Sequence, residues 1–158
     1  MSRGNTKAKK QPIQPDAKYG SILMSKFINY VMLNGKKTVA ERIVYEAFDT
    51  ASVELKSEPM EVFDLMIKNV GPIVEVKGKR IGGANYQVPV EVNKDRKNTL
   101  AMRWILAAAN KKKGQKLALK LSDEIIQACK NEGAAVKKRE ETHKMAEANK
   151  AFAHFARF

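Results

Sequence analysis

Residues 74–92 read Val-Glu-Val-Lys-Gly-Lys-Arg-Ile-Gly-Gly-Ala-Asn-Tyr-Gln-Val-Pro-Val-Glu-Val, and the rhythm of this stretch decides the fold. Val74 and Val76 alternate with Glu75 and Lys77. Tyr86, Val88, Val90 and Val92 alternate with Gln87, Pro89 and Glu91. A period of two sends successive side chains to opposite faces, which is the pattern of strands. The basic, glycine-rich run Gly78-Lys79-Arg80-Ile81-Gly82-Gly83 joins them, so a two-stranded ribbon is expected over about 73–92. Pro89 has no N–H for a ladder, which assigns its strand to an edge. A lone ribbon is poorly stable unless it packs on something.

On both sides of the ribbon the period becomes helical. Ser21 is placed to cap a first helix, with Leu23, Phe27, Tyr30 and Val31 at helical spacing and Asn34-Gly35 as its stop. Thr38 is read as the cap of a second helix, with Glu41 placed for a capping box. Val39, Ile43, Ala47 and Ala51 line its inner face, beside Val44 and Phe48. Pro59 suits the first position of a third helix, whose face is Phe63, Met66, Ile67 and Val70; Gly71-Pro72 ends it. After the ribbon, a fourth helix is expected from Asn98 or Thr99, with Leu100, Trp104, Ala107 and Ala108 inward. It fails at Lys111-Lys112-Lys113-Gly114. A fifth runs from about Lys116, with Leu117, Leu121, Ile125 and Ala128 inward, to Asn131 and Gly133. The last, from about Ala135, is nearly all polar, which suits a solvent-facing or partner-bridging helix. In it Glu140 precedes Lys144 by four, the favourable order for an ion pair. A tail over 151–158 carries three phenylalanines. The fold class is thus mainly α: five to six helices in a bundle, with a protruding β-ribbon between the third and fourth.

Composition narrows the function. The chain has 158 residues, enough for one domain that buries roughly 70% of its unfolded surface. It carries 30 Lys plus Arg against 17 Asp plus Glu, a net charge of +13. Such an imbalance repels itself unless a polyanion absorbs it, which argues for a nucleic-acid partner and against a freestanding small-molecule enzyme. The excess is segregated. Residues 21–74 are nearly neutral, whereas Arg103, Lys111, Lys112, Lys113, Lys116 and Lys120 are met by no acid between 103 and 120. Residues 1–18 hold Arg3, Lys7, Lys9 and Lys10 with almost nothing apolar. They read as a basic extended arm, and 19–158 as a single helical domain expected to fold without it. No apolar run approaches the roughly 18 residues of a membrane span, and no apolar signal core opens the chain, so a soluble cytoplasmic protein is expected.

Motifs for chemistry fall away. Gly35-Lys36-Lys37-Thr38 lacks the earlier glycine of a phosphate loop, since position 30 is Tyr30. Gly82-Gly83 has neither the spacing nor the helix of a dinucleotide site. His143 and His154 have no co-ligands at metal spacing and read as surface histidines. Cys129 reads as a small buried hydrophobe, and it excludes an internal disulfide. Glu140 and Glu141 are adjacent on a helix and point about 100° apart. Trp104 reads as core and Arg103 as its outward neighbour; Tyr86 packs the ribbon.

Three stretches then carry a resemblance: Gly82-Gly83-Ala84-Asn85-Tyr86-Gln87-Val88-Pro89-Val90-Glu91-Val92, Ala101-Met102-Arg103-Trp104, and the run from Lys137-Lys138-Arg139-Glu140-Glu141 to Ala153-His154. Together they resemble the bacterial type of small-subunit ribosomal protein number seven, over about Pro15 to Phe155. The resemblance implies six helices with a β-ribbon between the third and fourth. It implies direct binding to the 3′ major domain of small-subunit rRNA, nucleation of head assembly, and a ribbon near the exit-site tRNA and the mRNA. It further implies neighbours that include small-subunit proteins nine and eleven, a place in the cytoplasmic ribosome, and no catalysis, cofactor or metal. Family contacts with rRNA come from the arm, the turn after the first helix, the ribbon base and the fourth helix. The matching positions are Arg3, Lys9, Lys10, Lys36, Lys37, Lys79, Arg80, Arg96, Lys97, Arg103, Lys112 and Lys113. At Lys79 lysine stands where the family often has arginine, keeping charge but losing bidentate phosphate geometry. Asn110 replaces a common arginine. Two rivals are weighed beside this: a DNA-architectural protein inserting its ribbon into a minor groove, and an RNA-modifying enzyme, for which no cofactor loop is found.

Overall fold

The computed structural model describes residues 12–157. In chain order it has α1 (Ile22–Val31), α2 (Lys37–Leu55), α3 (Pro59–Val70), β1 (Val74–Ile81), β2 (Ala84–Glu91), α4 (Lys94–Lys111), α5 (Leu117–Cys129), α6 (Gly133–Ala148) and a 3-10 helix, Lys150–Arg157. The ribbon is antiparallel, with Val74 opposite Glu91 and Ile81 opposite Ala84. Its two-residue turn needs glycine twice: Gly82 and Gly83 take φ of 57° and 88°, left-handed values that match the twist of a tight hairpin.

The core forms because the apolar stripes of α1, α2 and α3 each present one phenylalanine. Phe27, Phe48 and Phe63 are fully buried, with ring centroids 5.7 to 6.0 Å apart. Burying each ring contributes on the order of 1.5–3 kcal/mol. The central helix, α5, packs against α2, α3, α4 and α6 and inserts Leu121 and Ile125. Met102 and Ile105 of α4 meet them from the other side.

Local geometry departs from expectation in four places. Asn34 and Gly35 both adopt left-handed φ, and the turn closes through the Lys36 N–H to Leu33 and the Lys37 N–H to Gly35. α2 therefore begins at Lys37, Thr38 lies inside its first turn, and no capping box forms with Glu41. This register exposes Val39 and turns Ala40 inward; Ile43 is half-buried. α4 begins at Lys94 rather than at Asn98 or Thr99, because the Asn93 side chain accepts the Arg96 N–H at 2.9 Å. α6 begins at Gly133 and is no free-standing polar helix: Ala135, Val136 and Ala146 are buried along α4, α5 and the ribbon. Glu140 pairs with Arg139 at 3.4 Å and not with Lys144.

The chain before α1 is tied down from Asp16. That residue is 6% exposed and accepts the Tyr45 hydroxyl at 2.6 Å and the N–H groups of Lys18 and Tyr19. Lys18 reaches Asp49 at 2.7 Å. The extended arm expected over 1–18 thus gives way to a docked segment before its end. Burial and the Asp16 carboxylate push the Tyr45 phenol well above its usual range.

At the other terminus the aromatic tail folds back. Phe152 and Phe155 sit 5.4 and 5.2 Å from the Tyr86 ring. Lys79 donates to the carbonyls of Phe155 and Ala156 at 3.2 and 3.1 Å. This answers the instability of a lone ribbon: the tail covers β2 while α6 covers β1.

Asp16→Ala removes the acceptor of three hydrogen bonds and is expected to lower unfolding free energy by about 1–3 kcal/mol. Urea denaturation checks this; a midpoint equal to wild type refutes the anchoring role.

Candidate nucleic-acid interface

α4 supplies the longest basic surface. Its exposed positions after the first turn are Arg103, Ala107, Asn110 and Lys111, a spacing that keeps them on one side, with Arg96 one heptad before Arg103. The Arg103 guanidinium lies 5.4 Å from the Tyr30 ring centroid, a cation–π contact that fixes its direction while leaving it exposed. Tyr30 is one residue from the end of α1, and the turn that follows carries exposed Lys36 and Lys37. Lys37 is only loosely held, 4.0 Å from Glu41.

The other expected positions divide. Arg96 donates through two nitrogens to Glu75, at 3.2 and 3.1 Å, and Lys77 takes the second oxygen of that carboxylate at 3.3 Å. Arg96 thereby joins α4 to the ribbon root while remaining exposed. Lys97 is half-buried, and its stem covers Gly71 so closely that a Cβ there would meet Lys97 Cγ at 2.6 Å. Arg80 is exposed near the hairpin turn, whereas Lys79 is committed to the tail carbonyls. Lys112 turns inward to Glu124, whose side chain is 1% exposed; Nζ lies 3.3 Å from Oε2, off the line of a hydrogen bond. Lys113 is exposed. Arg3, Lys9 and Lys10 fall outside the described residues. Lys111 and Lys116 are exposed as well. The acid-free basic segment 103–120 was the signal for them.

His143 and Cys129 serve packing, whereas His154 is exposed on the tail. The Ile73 N–H donates to His143 Nε2 at 3.0 Å, so the ring proton sits on Nδ1 and the imidazole is neutral. Burial, then Arg139 and Lys97, hold His143 below its ordinary 6.5. The Cys129 thiol donates to the Val62 carbonyl at 3.6 Å, and burial pushes it up to about 11. Among the described residues no group of three His, Cys, Asp or Glu is placed to hold a metal ion, and no helix is long and apolar enough to cross a membrane.

A helical body with exposed cations on a helix, a turn and a hairpin, and with His143 and Cys129 tied into the packing, has the make-up of a polyanion-binding scaffold. The chain belongs to the family of ribosomal protein S7p/S5e, whose family model matches residues 2–150. It is 58% identical over 146 residues to the small ribosomal subunit protein uS7 of Bordetella petrii, covering 92% of this chain and 94% of that one. The protein of the same name from Francisella tularensis subsp. holarctica is 54% identical over 156 residues, 98% and 99% of the two chains. That of Polynucleobacter necessarius is 53% identical over 149 residues, 94% and 96%. The family is structural and not enzymatic.

Two outcomes separate structural from exposed charge. Lys112→Ala leaves Glu124 without its cation and is expected to cost about 1–3 kcal/mol of stability. Lys113→Ala should change stability by no more than about 0.5 kcal/mol. Equal denaturation midpoints for the pair would refute the inward role of Lys112. For His143, whose folded pKa is lowered, the unfolded chain takes up the proton more readily. Its stabilising share is complete above 6.5 and is lost as pH falls through the lower folded value. Melting temperature against pH should therefore decline below about 6.5 in the wild type and decline less in His143→Gln. Superimposed profiles would contradict this.

Proposed function

We propose that this protein is a structural constituent of the small ribosomal subunit that binds rRNA directly and works in the cytoplasmic ribosome by holding RNA shape, without a chemical step. The finer reading is that it binds the 3′ major domain, nucleates assembly of the subunit head, carries its ribbon near the exit-site tRNA and the mRNA, and meets small-subunit proteins nine and eleven. The observation that supports it most is Arg103, exposed in the middle of α4 and held in direction by Tyr30. A preset guanidinium meets a phosphate pair with little loss of side-chain freedom. Lys36, Lys37 and Lys113 add further exposed ammonium groups. Arg80 brings charge to the distal ribbon, where Gly82 to Asn85 are exposed.

A-form RNA hides its major groove, so such a surface reads backbone shape and unpaired junction bases. Arg96, Lys79, Lys97 and Lys112 enter this reading differently, because each is also engaged within the fold. Each contributes positive potential to the surface while its polar head or its stem also holds the fold together.

The test is filter binding to a transcript of the 3′ major domain, with duplex DNA of equal charge as competitor, at two salt concentrations. With about eight phosphates contacted, log affinity should fall with log salt at a slope of about 5 to 7. Arg103→Ala should weaken binding by about 1–3 kcal/mol. Equal affinity for transcript and duplex DNA would instead favour a DNA-architectural protein.

A further inference from the structure

Between α4 and α6 runs a groove of about 360 Å3 that no contact named so far uses. That volume falls in the few-hundred-Å3 range of sites for small planar ligands. Trp104 lines it from α4, and Ala107 and Ala134 form its flat walls. Trp104 is the only tryptophan of the chain. It is half-buried and packs against the core, while the rest of its indole faces the groove, so its expected place wholly in the core is only half of its role. No β-branched or leucine side chain is among the described residues that line the groove.

The rim is cationic. Lys111 and Lys137 have no ion-pair partner among the described residues. Lys138 is also on the rim but is held by Glu141, the one carboxylate there, at 3.3 Å. An apolar peptide segment would gain nothing from the two free ammonium groups, and a simple anion would gain nothing from the indole. A nucleobase with its phosphates uses both, because every base has a π-face and each phosphate attracts an ammonium.

We infer that the α4–α6 groove receives one unpaired RNA base, which lies against the Trp104 indole while Lys111 and Lys137 hold the flanking phosphates. This rests on the RNA-binding reading above and adds to it a single-stranded subsite. The groove shares Ala107 and Lys111 with the exposed side of α4, but Arg103 and Tyr30 do not line it, so Arg103 and Ala134 can be mutated separately to tell the two contacts apart.

The sole indole makes the test direct. Tryptophan emission of the full chain is followed during titration with the 3′ major-domain transcript, and separately with fully paired duplex RNA of equal charge. The transcript should quench the emission and shield the indole from acrylamide, and the duplex should do neither. Ala134→Leu fills the groove from α6 without altering any charge. It should abolish the quenching and weaken transcript binding on the order of tenfold, with an unchanged melting temperature. Quenching equal for transcript and duplex, or an Ala134→Leu variant that binds and quenches like wild type, would overturn the base site. If Arg103→Ala still weakens binding in that case, the RNA-binding function stands and only the groove assignment falls. If the transcript shows no preference over DNA, the function itself falls and the groove assignment with it.

Discussion

The carboxylate of Glu124 lies almost wholly out of water, in a chain with thirteen positive charges in excess. Left alone, such a group costs several kcal/mol, so its partners are fixed by necessity. Lys112 approaches one oxygen and the Ala135 N–H donates to the other at 3.0 Å. These partners come from just past the end of α4 and from the first turn of α6, while Glu124 itself stands on α5. Gly133 completes the arrangement: its φ of 90° and its missing Cβ let the backbone pass where a methyl group would stand 3.0 Å from that same carboxylate. One buried acid therefore sets the mutual positions of three helices. The basic side of α4 and the groove beside α6 inherit their shape from it.

The same logic governs charge over the rest of the molecule. Acids are placed where two elements must be joined. Glu75 holds Arg96 and Lys77 at the ribbon root, and Asp49 takes Lys18 from the segment before α1. The Lys18–Asp49 pair lies at the surface and is worth little in energy, so its value is positional. What remains unmatched is a set of lysines and arginines on rigid supports. A polyanion that meets them finds its counter-charges already spaced.

Much of this was legible in the chain. The switch from helical to alternating rhythm at Val74 located the ribbon, and Pro59 and Gly71-Pro72 marked α3 because these residues act through their own backbone. The misplacements have local causes. The first turn of α4 is Lys94-Asp95-Arg96-Lys97, with no apolar residue to show a period, so only the Asn93 cap could have announced it. Thr38 looked like a cap, but the left-handed pair Asn34-Gly35 had already turned the chain. At the candidate interface, basic character was readable residue by residue, and direction was not. Lys112 and Lys113 are adjacent in sequence, yet one faces a buried acid and the other faces solvent. Only the path of the chain after α4 decides which is which.

The folding-back of the tail onto Tyr86 changes what the ribbon is mechanically. A bare hairpin bends at its root. This one is clamped on one side by two aromatic rings and a lysine that bonds the tail carbonyls, and on the other by α6, where His143 takes the Ile73 N–H. Ribbon, tail and α6 form one lever, and a push on the hairpin tip is delivered as torque to α6 instead of being absorbed at the hinge. A neighbour that peeled the tail away would soften the lever and, in the same movement, release the Lys79 ammonium at its surface.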